Sequence, residues 1–195
     1  HRPTGNFVWE VPFGKGRPHL ASAGRALNAL VGGWELSGVF SYYTGQFLTP
    51  QWTGPDPTGT AFTSSRTPAQ VTIRPNHLRD ANLPADQRTT RRWFDAAAFG
   101  PPTPGSFGTS AKGVIKGPNS NVWHLGVAKH FPIAERARLR WELIASNAFN
   151  HPNYANPAAN ITSLAAVGVI SGVSGVSVLD ESGPRRFRMG LQIEW

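Results

Sequence analysis

Arg186-Phe187-Arg188-Met189-Gly190-Leu191-Gln192-Ile193-Glu194-Trp195 carries the decisive pattern: Phe187, Met189, Leu191, Ile193 and Trp195 alternate with Arg186, Arg188, Gly190, Gln192 and Glu194. A period of two means a β-strand, because successive side chains leave opposite faces of the pleat. One face is apolar and the other is charged. Upstream, Ala137, Leu139, Trp141, Leu143 and Ala145 share a face opposite Arg136, Arg138, Arg140 and Glu142. Trp123, Leu125 and Val127 alternate with His124, Gly126, Ala128 and His130. Trp34, Leu36, Phe40 and Tyr42 alternate with Glu35, Ser37, Ser41 and Tyr43, and Phe7, Trp9, Val11 and Phe13 with Asn6, Val8, Glu10 and Pro12. The alternation predicts five strands, near residues 5–13, 34–45, 121–131, 136–148 and 186–195.

The connections alternate in length. Only Pro132-Ile133-Ala134-Glu135 separates two strands, whereas residues 45–120 and 150–185 are long and rich in Gly, Pro, Asn and Thr. Short turns on one side and long loops on the other are the periplasmic and extracellular connections of an outer-membrane barrel. The stretch from Gly14 to Gly33 is long for a periplasmic turn, and the helical spacing of Leu20, Leu27, Leu30 and Val31 before Gly32-Gly33 predicts a short amphipathic helix there.

Alternation also describes a soluble sandwich, whose apolar face is buried under a second sheet. Strands of about 9 to 11 residues match a tilted membrane crossing rather than the 5 to 6 usual in soluble sheets. Aromatics cluster at both strand ends: Phe13, Trp34, Phe131 and Trp195 at the expected periplasmic side, Tyr42 and Trp123, with Phe47 and Phe149, at the outer side. Such rings form the interfacial girdles of a barrel. An arginine facing lipid near the midplane costs about 2 to 4 kcal/mol. Glu35, His124, Arg138, Arg140, Glu142, Arg186 and Arg188 are therefore expected to face the lumen. Five strands at roughly 4.8 Å spacing make a sheet about 24 Å wide, while the smallest membrane barrels use about 8. The expected fold is all-β: an antiparallel transmembrane β-barrel segment, incomplete by itself, in the cell outer membrane with its lipid as a partner.

Composition fits this reading. Charged residues make up 15% of the 195, with 21 Gly and 17 Pro, a turn-rich chain poor in helix formers. The absence of Cys excludes disulfides, thiolate metal sites and cysteine nucleophiles. A net charge of +8 raises nucleic acid as a partner, but the arginines are scattered and no nucleic-acid motif gathers them, so none is expected. The chain opens at His1 without a leader, so a signal peptide is expected outside it.

Arg188, Gly190, Ile193 and Trp195 resemble the C-terminal signal of bacterial outer-membrane barrels, which implies recognition by the barrel-assembly machinery. A wider resemblance runs through Val11-Pro12-Phe13-Gly14-Lys15-Gly16, Gly32-Gly33-Trp34-Glu35-Leu36-Ser37-Gly38, Thr44-Gly45-Gln46, Trp93-Phe94-Asp95, Pro104-Gly105-Ser106-Phe107-Gly108, Lys129-His130-Phe131 and Asn147-Ala148-Phe149-Asn150-His151-Pro152-Asn153. In order and spacing these resemble the C-terminal barrel of Oar-like TonB-dependent receptors, in which a carboxypeptidase-regulatory-like domain precedes a plug and barrel. The resemblance implies a barrel of about 22 strands, uptake of a large substrate, and the plug, the rest of the barrel and the TonB complex as partners. Residues 158–179 depart from it, being richer in Val, Ala and Ser.

No catalytic, cofactor or metal site is expected. Phe13-Gly14-Lys15-Gly16 lacks the spacing and the Ser or Thr of a phosphate loop. His124 and His130, six residues apart on one strand, stand about 20 Å apart, too far for a shared metal. His151 reads as a turn residue, and Asp80, Asp86, Asp95, Asp180 and Glu181 show no paired spacing. Residues 161–179 carry no charge and approach the length of a membrane helix, but Gly, Ser and Thr favour a hairpin or loop. Thr90-Arg91-Arg92-Trp93-Phe94 reads either as a contact for an anionic ligand or as a loop anchored by its aromatics. Two alternatives to the receptor stand beside it: a passive porin-like or adhesive barrel, and a soluble carbohydrate-binding sandwich.

Overall fold

The computed structural model describes residues 1–59, 70–133, 137–173 and 183–195. Five long strands, β1 (Thr4–Glu10), β2 (Trp34–Tyr43), β9 (Ser120–Pro132), β10 (Arg138–Ser146) and β11 (Arg186–Glu194), form one sheet in the order β1-β2-β9-β10-β11. Every neighbouring pair is antiparallel. The sheet is open, with β1 and β11 at its edges.

The register sorts the side chains as the period of two demands. Leu36 pairs with Val127, Val127 with Leu143 and Leu143 with Met189, while Glu35, Ala128, Glu142 and Gly190 line the adjacent rung. Two cross-strand pairs set an aromatic ring against a glycine: Phe40 against Gly5 and Phe7 against Gly38. A Cβ added at either glycine would strike the opposing ring, so the missing side chain is what lets each ring lie flat along the sheet.

The strand ends differ from expectation for local reasons. β1 stops at Glu10, three residues early, because Pro12 has no N–H for the ladder and the chain turns so that Phe13 bridges His19. β10 stops at Ser146 because Asn147 takes a left-handed conformation, φ 47°. At the short turn the amide of Ile133 donates to Ala137 O at 2.9 Å; residues 134–136 lie outside the described ones. The expected helix, α1, is confined to Arg25–Val31, and Leu20 falls before it.

Residues 44–119 and 154–173 make a second compact unit. Here expectation fell short, since these segments read only as long loops. They form two-stranded sheets from β3 (Phe47–Leu48) with β8 (Ile115–Lys116), β4 (Trp52–Pro55) with β5 (Gln70–Ile73), and β6 (Asn76–His77) with β7 (Phe99–Gly100). Ala81, Phe94, Ala98, Phe99 and Ile115 form its buried apolar cluster. Backbone bonds tie the two segments together, Gln51 N–H to Ala159 O and Trp93 N–H to Gly168 O, both 2.9 Å. Residues 161–173 are turns and bridges, not helix, and no described helix is long and apolar enough to cross a membrane. The rest of the charge-free run, 174–179, lies outside the described residues.

Asn82 is a polar pin in this unit. Its side chain donates to Val114 O at 2.9 Å and accepts from Lys116 N–H at 2.9 Å, and its own amide donates to Asp80 Oδ1 at 2.9 Å. That backbone bond, and then the one from the Asn82 side chain, hold the Asp80 carboxyl below its ordinary 3.8. A depressed folded value means that the contribution is complete above 3.8 and is lost as pH falls through the folded value. Titrating the full-length protein below pH 3.8 is therefore expected to shift the Asn82 backbone amide resonance before the sheet responds; an amide that moves only with global unfolding would contradict this.

Candidate functional site: the charged face of the sheet

Residues paired across an antiparallel ladder project to the same side, so the register places all seven expected wall residues on one face. Arg138 pairs with Glu194, Arg140 with His130 and Gln192, Glu142 with Ala128 and Gly190, Glu35 with Ala128, Ile144 with Arg188, Ser146 with Arg186, and Val39 with His124. Glu10, paired with Glu35, joins them. Among the described residues four arginines and four glutamates share this face, so its charges balance with the histidines neutral.

The glutamates and two of the arginines interlock towards the short-turn end. Arg140 Nη2 lies 3.3 Å from Glu142 Oε2 and 3.8 Å from Glu35 Oε1. Glu194 Oε2 is 3.4 Å from Arg138 Nε and 3.9 Å from His130 Nδ1, and Arg17 reaches Glu10 at 2.6 Å. All are at least partly solvated, so each pair is worth only about 0 to 1 kcal/mol. The network sets a pattern of alternating charge rather than holding the strands together. Arg140 Nε and His130 Nδ1 are buried donor or acceptor atoms without a hydrogen bond among the described residues. His124 and His130 occupy separate rungs, and the Asn147 amide lies 3.4 Å from His124 Nδ1.

The opposite face is apolar and unburied on its outer strand: Phe187, Met189, Leu191 and Ile193 are 56 to 71% exposed. A soluble sandwich would bury these four, so that alternative is set aside. Of the expected girdle, Trp34 and Phe131 stand on this face at its short-turn end, and Tyr42 and Trp123 at its long-loop end. The indole N–H groups are satisfied locally, Trp34 by Leu30 O and Trp123 by Asn121 Oδ1, which suits rings with one apolar and one wet end. Phe13 lies in the turn after β1 rather than on a strand, and Trp195 follows β11, almost wholly exposed. Of the terminal motif, Arg188 and Gly190 project to the charged face and Ile193 to the apolar one.

Sequence reasoning missed one cation. Lys129 lies on the apolar face between Trp34 and Trp141. It is 5% exposed, its ammonium donates to Gly32 O at 2.7 Å and Leu30 O at 3.1 Å, and it sits 4.4 Å from the Trp34 ring. Carbonyls at the end of α1 and a π face thus replace water around the charge. Its odd number, shared with Trp123, Leu125, Val127 and Phe131, was the available signal.

The Thr90–Phe94 loop resolves towards anchoring. Phe94 is buried, Trp93 Nε1 donates to Lys116 O at 2.9 Å, and Arg92 Nη2 lies 3.8 Å from Asp95. His151 is likewise structural: its amide donates to Asn147 Oδ1 at 3.1 Å.

No curated protein and no solved structure matches the chain significantly. A family model described as an outer membrane beta barrel domain matches residues 1–187. With an open antiparallel sheet of membrane-crossing strands, one face greasy and one charged, the chain belongs to the outer membrane β-barrel domain family and resides in the cell outer membrane.

Proposed function

We propose that the chain is part of the barrel wall of a TonB-dependent outer-membrane receptor that takes up a large substrate, with no catalytic step. On this reading strands from elsewhere in the protein close the barrel, the charged face lines the lumen, and a plug seats against it. The observation that carries the reading is the charge balance of that face among the described residues: Arg138, Arg140, Arg186 and Arg188 against Glu10, Glu35, Glu142 and Glu194. An open ion-selective pore is served by rings of one sign, whereas interlocked opposite charges offer complementary sites to a folded plug. The motifs from Val11-Pro12-Phe13-Gly14 to Asn147–Asn153 add the family resemblance to this argument. The TonB complex would supply the energy, and the barrel-assembly machinery would read the motif of Arg188, Gly190, Ile193 and Trp195.

A passive porin-like barrel uses the same wall without the plug. Planar-bilayer recordings of the full-length protein separate the two. A plugged receptor is expected to show no steady conductance until urea loosens the plug, and substrate uptake by cells should stop when TonB is deleted. Steady open conductance without urea, together with TonB-independent uptake, would sink the receptor reading in favour of the porin.

A further inference from the structure

The connection between β1 and β2 is an unusual piece for the short-turn side of a barrel, and nothing in the wall's function uses it. Its apolar residues are not tucked away: none of α1 is buried, and Leu30, Leu27 and Phe13 are 71, 43 and 41% exposed. The helix is docked from the apolar face of the sheet, since Lys129 and Trp34, both on that face, hydrogen-bond the Leu30 carbonyl. Its exposed leucines therefore continue the lipid-facing surface downward to the periplasmic rim.

A pocket opens at this rim, lined by Lys15, Arg17, Arg25 and Asn28 together with Phe13 and Phe131. Arg17 is engaged by Glu10, while the Lys15 and Arg25 side chains have no acidic partner among the described residues. The Asn28 side chain accepts from the Lys15 amide at 2.6 Å and so fixes the turn that presents the lysine. Cations beside exposed rings at a membrane edge match an anionic headgroup with its acyl chains alongside.

We propose that this connection is a binding site for an anionic phospholipid of the periplasmic leaflet. Lys15 and Arg25 hold the phosphate, and Phe13 and Phe131 pack the upper acyl chain. The inference needs only the barrel and its orientation, so it stands apart from the receptor reading.

The test is lipid retention by the detergent-solubilised full-length protein, read by native mass spectrometry with phosphatidylglycerol and phosphatidylcholine in competition. Phosphatidylglycerol should be retained preferentially, and the Lys15→Gln/Arg25→Gln double variant should lose that preference by about 25-fold, at about fivefold per cation. The Arg91→Gln/Arg92→Gln control, in the loop unit, should keep it. Lys15→Gln alone, whose lost side chain makes no described contact, provides a smaller loss in the same direction should the double variant fail to show heat-modifiable migration. Equal retention of the two lipids, an unchanged preference in both Lys15 variants, an equal loss in the control, or displacement by millimolar inorganic phosphate would overturn the proposal.

Discussion

Leu143→Arg is expected to cost the full-length barrel about 2 to 4 kcal/mol in lipid vesicles, whereas Val39→Arg should cost under about 1 kcal/mol. Leu143 pairs with Val127 and Met189 near the middle of the strands, on the apolar face. Val39 pairs with His124 and Asn6 on the charged face and is itself 48% exposed. If the apolar face meets lipid, the first arginine must be desolvated or must drag water and headgroups inward, and the second simply joins other charges in water. Urea unfolding of the vesicle-inserted protein gives both values. Equal costs would mean that the two faces see the same solvent, and the assignment of lumen and lipid would fall.

This contrast was legible without coordinates because it rests on a local rule. In β2, β9, β10 and β11 parity alone fixes the face of each side chain, and the expected wall residues came together on one face. Lys129 followed the same rule and was overlooked only because a cation on the greasy face conflicts with the hydropathy pattern. Where the rule has no purchase, expectation ran out. β3 and β6 to β8 are two residues long, too short for any period to show. The loop unit's core joins Ala81, Phe94, Ala98, Phe99 and Ile115, residues scattered across Pro- and Gly-rich sequence and linked by burial that no local pattern announces. The strand ends failed for a similar reason: whether Asn147 continues a strand or turns left-handed is decided by what its side chain finds to bond.

That bonding makes the Asn147–Asn153 segment the most sensitive polar element of the sheet, and Asn153→Ala is expected to destabilise the full-length protein by about 2 to 4 kcal/mol. Asn153 is fully buried. Its carbonyl oxygen accepts from the Asn121 amide at 2.7 Å and from Ser120 Oγ at 3.1 Å, and its Nδ2 donates to His151 O at 3.2 Å. Asn147, turned left-handed, donates to His151 O and to Gly183 O, and Asn150 Oδ1 accepts from Arg185 N–H. The three asparagines thus join the end of β10 to the starts of both its neighbours, β9 and β11. Truncating Asn153 removes three partners at once and leaves the half-buried Asn121 amide and the hydroxyl of Ser120 without this acceptor, a cost larger than the net value of one exposed bond. Asn156, whose side chain donates to Gln46 Oε1 at 2.8 Å at the surface, provides the comparison: Asn156→Ala should cost under about 1 kcal/mol. Hydrogen exchange should localise the Asn153→Ala effect to residues 120–123 and 151–153, where its anchors are lost. A cost equal to that of Asn156→Ala, or protection lost evenly along all five strands, would show that the asparagines follow the sheet's edge without holding it.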